Sequence, residues 1–147
     1  MNARTERRVI AGPAGDLACA IDEPDTASKP RGLALICHPH PLHGGTMDNK
    51  VVTTLARAFA QCGWRAVRFN FRGVGASQGV WGEVVGEVED ARAVLAALRQ
   101  GDEPFAVAGF SFGGYVASHL SAGAQATISP SICEPALRQF LFPLGVP

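Results

Sequence analysis

The segment of this sequence best suited to chemistry is residues 109–113, in which Ser111 stands between glycines at positions 109 and 113. A sharp turn between a strand and a helix can lift a serine hydroxyl into a cleft, where it attacks an acyl carbonyl. Strand and helix come close together at such a turn, so the residues two before and two after the serine must be small. The G-x-S-x-G pattern therefore predicts that Ser111 is a nucleophile on a strand-to-helix turn.

A serine nucleophile also needs backbone N–H groups that stabilise the negative charge developing on the carbonyl oxygen. The N–H of Phe112, at the start of the following helix, is one expected donor. The second donor is expected from the loop that follows the central strand, residues 38–45. The two prolines of this loop have no N–H, so His40 N–H is the preferred second donor and Leu42 N–H is the alternative.

Three histidines of the same loop, His38, His40 and His43, suggest a rival class of enzyme. Histidine is the commonest metal ligand, so the cluster is compatible with a metal-dependent hydrolase. No aspartate or glutamate lies in the loop to complete or orient such a site, and Asp48 is expected in the first turn of a helix. The other interpretation is that the histidines order the loop through hydrogen bonds.

The elements that would position these residues follow from the spacing of apolar side chains, and they alternate between strand and helix from residue 33 onward. Strands are predicted at 8–11, 17–21, 33–37, 65–71 and 105–109, with a further strand at 126–130, and helices at 47–62, 83–100 and 113–121. Short connections of this kind are right-handed and place helices on both faces of a sheet. The prediction is an α/β fold with a mostly parallel, twisted sheet.

In the predicted helix over residues 83–100, one stripe of apolar residues is expected to face the sheet. Four charged residues are expected to point largely away from that stripe: Glu89, Asp90, Arg92 and Arg99. The helix is thus predicted to be amphipathic, with its polar face in solvent.

Three ordered motifs resemble a family of small bacterial α/β hydrolases related to dienelactone hydrolases and short esterases. They are CHPHPL with GGTMDNKVV (37–42 and 44–52), FNFRGVGAS (69–77) and GFSFGG (109–114), and the similarity spans roughly residues 30 to 120. The resemblance implies an open α/β-hydrolase sheet, a serine nucleophile, a small-molecule acyl substrate and no metal or organic cofactor. It also implies that Arg72 and Ser77 shape the turn in which they lie.

A dinucleotide-binding interpretation of the glycines in that second motif is poor. Gly73, Gly75 and Gly79 do not have the spacing of G-x-G-x-x-G, and no helix is expected to open inside the motif.

The acid and histidine that should follow the nucleophile in this fold are missing from the pattern. After Ser111 the sequence has one acidic side chain, Glu134, and one histidine, His119. About 12 Å of helical rise would separate His119 from Ser111, too far for a general base. The alternatives are a truncated family member or a base from the histidines of the 38–45 loop or from another subunit, and truncation is favoured.

The expectation is therefore a single, C-terminally truncated α/β-hydrolase domain over residues 1–147 that lacks the last strands of the sheet. Its predicted function is hydrolysis of small esters or thioesters through an acyl-enzyme on Ser111, with weak or absent activity. The alternative function is that of a non-catalytic remnant or interaction module. An open sheet edge would favour self-association.

Composition and charge limit the other partners. Thirteen basic and thirteen acidic residues cancel, and neither sign forms a block, which argues against nucleic acid and against an anionic membrane surface. Four cysteines without a C-x-x-C pair fit a reducing compartment, so a cytoplasmic location is expected.

Overall fold

The structure, a computed structural model, describes residues 5–24, 29–124 and 126–128. The strands are β1 (Thr5–Gly12), β2 (Gly15–Asp22), β3 (Leu33–Cys37), β4 (Arg65–Phe69), β5 (Phe105–Gly109) and β6 (Ala126–Ile128), and the helices are α1 (Lys50–Gln61), α2 (Val85–Leu98) and α3 (Phe112–Ser118). A single 3₁₀ turn covers Pro41–His43. Each strand and helix predicted from the sequence has a counterpart here, and the differences lie at the ends of elements.

The strands form a mixed six-stranded sheet in the order β1-β2-β4-β3-β5-β6. Strands β4, β3, β5 and β6 run parallel, whereas β1 pairs antiparallel with β2, and β2 antiparallel with β4. This confirms the mostly parallel sheet, and the antiparallel pair β1–β2 forms a hairpin at one edge. Because the chain beyond β6 lies outside the described residues, self-association through that edge stays a prediction.

Helices cover both faces of the sheet, as predicted. All five residues of β3 are buried, because its alternate side chains meet helices on opposite sides. Ala34 and Ile36 cluster with buried residues of α1 on one face. Leu35 clusters with Val94 of α2 and Val116 of α3 on the other. The carboxyl ends of β3 and β5 therefore meet at one edge, where the candidate site lies.

The start of α1 is set by a side-chain cap and not by the apolar pattern. The Asn49 side chain accepts hydrogen bonds from the N–H groups of Val51 and Val52. This is the ordinary way of satisfying free donors at a helix start. The predicted start at residue 47 was therefore three residues too early, and Met47 belongs to the preceding loop.

The loop after β4 is held by buried polar contacts, in line with the structural roles expected for Arg72 and Ser77. The Ser77 hydroxyl donates to Asn70 O at 2.7 Å and accepts from Ala18 N–H at 2.9 Å, which ties the loop to β2. The Arg72 guanidinium donates to both carboxylate oxygens of Asp90, with Nη2 at 2.8 Å and Nε at 3.1 and 3.2 Å. These hydrogen bonds to Asp90 are the main reason why the pKa of Arg72 is raised above its usual value.

The prediction that Asp90 points away from the apolar face of α2 was wrong. Asp90 is fully buried and also accepts a hydrogen bond from Arg72 N–H at 3.0 Å, whereas its neighbour Glu89 is exposed. A carboxylate can lie inside the core because the guanidinium and a backbone N–H replace its lost hydration. Helical periodicity carries no information about such a partner.

Among residues 5–24, 29–124 and 126–128, none of the helices has both the length and the apolar character needed to cross a bilayer.

Removing the buried carboxylate should destabilise the fold much more than removing its exposed neighbour. Asp90→Ala leaves the mostly buried guanidinium of Arg72 without its partner, so we expect a loss of about 3 kcal/mol in the free energy of unfolding. Glu89→Gln is the matched control, because the Glu89 carboxylate is more than half exposed and 4.0 Å from Arg72. Its effect should stay within about 0.5 kcal/mol. Urea unfolding measures both, and equal losses would contradict this account.

Candidate active site

The turn between β5 and α3 holds Ser111 in a conformation that few residues adopt. Its φ of 56° and ψ of −119° lie in a region of backbone conformation that residues other than glycine rarely adopt. Ser111 is also exposed to solvent. The turn thus presents the hydroxyl to solvent at the carboxyl end of a central strand. This is the backbone geometry that G-x-S-x-G was expected to produce.

The glycines on either side of Ser111 are required by close backbone contacts. A Cβ added to Gly109 would lie 2.1 Å from Gly113 O, and one added to Gly113 would lie 2.0 Å from Cys37 O. Neither neighbour can move, because both are backbone atoms of the turn or of β3. The steric reason given for small residues at both positions therefore applies in the folded chain.

The loop after β3 lies directly against this turn. The Phe110 N–H donates to Cys37 O at 3.3 Å, joining the turn to the end of β3. In the loop, the N–H groups of His43 and Gly45 both donate to His40 O, at 3.1 and 3.0 Å. These bonds fold the loop back on itself around His40.

The two backbone donors predicted for an oxyanion are both unpaired. Within the described residues, the N–H groups of His40 and Phe112 donate to no acceptor. The alternative donor, Leu42 N–H, is engaged, since it donates to Nδ1 of His40 at 3.1 Å. The His40 N–H is thus free to donate and the Leu42 N–H is not, and the role of His40 as an oxyanion donor stays a prediction.

Ring contacts join the loop to α3 and to the segment before α2. The centroid of the His40 ring lies 4.8 Å from that of Phe112 and 4.9 Å from that of Trp81. Trp81 is also 5.6 Å from Phe112, which completes a three-ring cluster. Nothing in the local sequence around Trp81 predicts that its ring reaches the 38–45 loop, because the contact joins segments far apart in the chain.

His38 is a structural residue in this arrangement. It is fully buried, its Nε2 accepts from Phe71 N–H at 3.1 Å, and its Nδ1 lies 2.6 Å from Pro39 O. Nδ1 therefore carries the proton and Nε2 the lone pair. Burial lowers the pKa of His38 from 6.5 to about 4, so the ring is neutral at physiological pH.

The histidine cluster does not have the geometry of a metal centre. Both nitrogens of His38 are occupied, and the Nδ1 of His40 accepts from Leu42 N–H. No group of three or more His, Cys, Asp or Glu side chains within the described residues could hold a metal ion. The interpretation that hydrogen bonds of the histidines order the loop fits these contacts better.

Two other reactive side chains, the thiol of Cys37 in β3 and the imidazole of His119 at the end of α3, neither compete with Ser111 nor activate it. Burial raises the pKa of Cys37 to about 12, so its thiol stays protonated and is not a competing nucleophile. His119 caps the far end of α3, where its Nδ1 lies 2.9 Å from Tyr115 O. In the described part of the chain, Ser111 Oγ makes no hydrogen bond, not even a capping bond to α3. Glu134 lies outside the described residues.

Comparisons with known proteins agree with this geometry. The family model for "Serine aminopeptidase, S33" matches residues 28–138. The crystal structure of XC6422 from Xanthomonas campestris, described as an α/β serine hydrolase without a lid, superimposes with a TM-score of 0.78 at 39% identity. That alignment covers 88% of this chain and 62% of the Xanthomonas chain.

Two further proteins show similar relationships. An α/β serine hydrolase homologue from Coxiella burnetii superimposes with a TM-score of 0.74 at 48% identity, over 82% of this chain and 58% of that chain. The uncharacterized protein RP471 of Rickettsia prowazekii (strain Madrid E) is 40% identical over 112 residues, which are 74% of this chain and 46% of that protein. The chain thus spans between about half and three fifths of the length of these relatives.

The neutral, buried state of His38 predicts a pH-dependent stability. Because the pKa of His38 is about 4 in the folded chain and 6.5 in the unfolded chain, the unfolded state binds more protons between these values. The associated stability is fully present above pH 6.5 and is lost as pH falls towards 4, for a total of about 3 kcal/mol. Unfolding free energies measured at several pH values test this.

Two variants separate His38 from the other titrating groups. His38→Gln should flatten the dependence of unfolding free energy on pH between 6.5 and 4, whatever it does to stability at neutral pH. His43→Gln, at an exposed position of the same loop, should leave the wild-type slope intact. A His38→Gln slope equal to that of the wild type would show that His38 is not the group responsible.

Proposed function

The chain belongs to the serine aminopeptidase S33 family of α/β serine hydrolases, and we propose that it hydrolyses small esters or thioesters through an acyl-enzyme on Ser111. The observation that carries the proposal is the strained turn that exposes Ser111. It is followed by the unpaired N–H of Phe112, and the Phe112 ring packs against His40, whose N–H is also unpaired. Strain of this kind persists where the surrounding structure enforces it, and it concentrates at functional sites.

The proposed reaction has two steps. Ser111 Oγ attacks the acyl carbon, and the carbonyl oxygen becomes an oxyanion that accepts hydrogen bonds from Phe112 N–H and His40 N–H. Collapse of this intermediate breaks the bond to the leaving group and forms the acyl-enzyme. The serine proton passes through solvent to the leaving group, which departs as an alcohol or thiol. Water then attacks the acyl carbon and releases the acid and the serine hydroxyl.

An ester or thioester substrate suits this site better than a peptide. An amide leaves as an amine and needs a proton from a general acid, whereas an alkoxide or thiolate departs with less help. In the described residues no imidazole or carboxylate is hydrogen-bonded to Ser111 Oγ, and His119 is engaged with Tyr115 O. The buried carboxylates of Glu87 and Asp90 are also committed to backbone N–H groups and to Arg72, so neither is free to bind the ammonium group of a peptide.

The missing contact to Ser111 also sets the expected rate. In a serine triad that lacks a member, the oxyanion hole and substrate binding still give about 1,000 to 10,000-fold over water. We expect activity of this size from the chain unless a base reaches Ser111 from outside the described residues. The same observation favours the second candidate function, a non-catalytic member of the family.

Covalent labelling of Ser111 distinguishes these two functions. A fluorophosphonate probe should label the wild type at one site, and Ser111→Ala should abolish the label, because the probe reacts with a serine hydroxyl whose oxyanion product is stabilised. Ser118→Ala is the matched control, since Ser118 is exposed on α3 and its hydroxyl donates to Tyr115 O. Intact-mass spectrometry reads the adduct. A wild type that stays unlabelled would favour the non-catalytic alternative.

The role of the His40 N–H can be tested although it is a backbone group. His40→Pro removes this donor, and the φ of −52° at position 40 is one that proline adopts. His40→Ala keeps the N–H and loses the same imidazole, so it is the matched control. We expect His40→Pro to be labelled about 100 to 1,000-fold more slowly than His40→Ala. Equal second-order labelling rates in the two variants would rule out His40 N–H as a donor.

A further inference from the structure

The segment that leads into α2 has a strained backbone beside the candidate site. Glu83 and Val84 have φ values of 55° and 78°, and with Ser111 they make up the non-glycine residues of the described chain with positive φ. Valine is especially unsuited to this region because its side chain branches at Cβ. Backbone strain of this kind needs surrounding contacts that enforce it.

The contact that enforces this conformation is a buried carboxylate. Glu87, in the first turn of α2, is fully buried. Its Oε2 accepts from Gly82 N–H at 2.9 Å, and its Oε1 accepts from Val84 N–H at 3.0 Å. The two bonds reach back over the strained turn and fix both of its ends. The positive end of the α2 dipole further stabilises the carboxylate there.

Close packing against Arg72 also restricts the backbone conformation of this turn. The Nη2 of Arg72 donates to Gly86 O at 2.8 Å. A Cβ added to Gly86 would lie 2.6 Å from Nη1 of Arg72, and one added to Gly82 would lie 2.7 Å from Cα of Gly86. The turn therefore has little room to relax towards a less strained form.

A helix start alone does not account for this arrangement. Glu87 accepting from Val84 N–H is half of an ordinary capping box, and that motif is made with unstrained residues. The strained turn follows Trp81 by two residues, and the Trp81 ring meets both His40 and Phe112, at 4.9 and 5.6 Å. Those two residues carry the unpaired N–H groups of the candidate oxyanion site.

We propose that Trp81 is a positioning residue for the oxyanion loop, and that the Glu83–Val84 turn, locked by Glu87, holds it in place. Trp81 packs on the His40 ring at an interplanar angle of 32° and so keeps the backbone at His40 beside Phe112. The expected effect of Trp81 on the reaction rate of Ser111 rests on the proposed function. The structural part of the inference, that Trp81 and Glu87 order residues 38–45, holds whether or not the chain is catalytic.

Three variants and one control test the proposal. Trp81→Ala removes the ring, Trp81→Phe restores an aromatic face, and Glu87→Gln removes one of the two carboxylate acceptors while keeping shape. Val80→Ala is the control, because Val80 adjoins Trp81 and is 79% exposed. Hydrogen–deuterium exchange of residues 38–45 and the rate of fluorophosphonate labelling of Ser111 are measured for each, with thermal unfolding to confirm that the variants fold.

The expected results separate positioning from substrate contact. Trp81→Ala and Glu87→Gln should speed exchange in residues 38–45 and leave β3 protected. Each should slow labelling about 10 to 100-fold, since small misplacements of catalytic groups have effects of this size. With an activated ester the loss should fall on kcat and not on KM. Trp81→Phe should recover most of the rate, and Val80→Ala should behave as the wild type.

Two results would overturn the proposal. One is unchanged exchange in residues 38–45 for both Trp81→Ala and Glu87→Gln. The other is a loss confined to KM, which would make Trp81 a substrate contact. If wild-type Ser111 is not labelled at all, the proposed function fails, but the exchange experiment still decides whether Trp81 orders the loop. Should Glu87→Gln fail to fold, the variants at Trp81, which is only partly buried, decide alone.

Discussion

The close approach of three backbone segments around Ser111 is the constraint on which the rest of the site depends. The start of α3 lies so near β3 that a single carbon atom on Gly113 would overlap Cys37 O. This contact forces the strand and helix together, and Ser111 takes up the resulting bend through a positive φ. It also sets the start of the 38–45 loop beside the serine. One steric condition thus exposes the hydroxyl and brings the end of β3, where the 38–45 loop begins, against the start of α3.

Buried polar side chains stabilise the loops around Ser111 through hydrogen bonds. His38 is kept neutral so that one ring nitrogen can accept from Phe71 N–H while the other serves Pro39 O. Asp90 holds Arg72, and Glu87 holds the turn that carries Trp81. Each of these groups would be costly to bury alone and is tolerated because its partners replace water. The loops of the site are consequently fixed by hydrogen bonds to the core more than by their own sequence preferences.

Local sequence patterns were sufficient for much of the fold. Strands β3 and β5 were predicted with their observed bounds, because unbroken apolar runs of five residues suit strands buried on both faces. Features set by side-chain hydrogen bonds were predicted less well. The Asn49 cap sets the start of α1 at Lys50 and not at the predicted residue 47, and Asp90 was assigned to solvent although it is buried. Both errors have the same origin, since a side chain's hydrogen-bond partner does not alter apolar periodicity.

The sequence by itself determined the turn at Ser111 and the glycines that permit it, and it predicted a second backbone donor from the 38–45 loop, because these depend on residue types at short, fixed spacing. Tertiary structure decided which donors are free. It engaged Leu42 N–H with the His40 ring, made His38 a buried support, and brought Trp81 against Phe112. Those outcomes depend on contacts between residues far apart in the chain, which the sheet order creates and local spacing cannot encode.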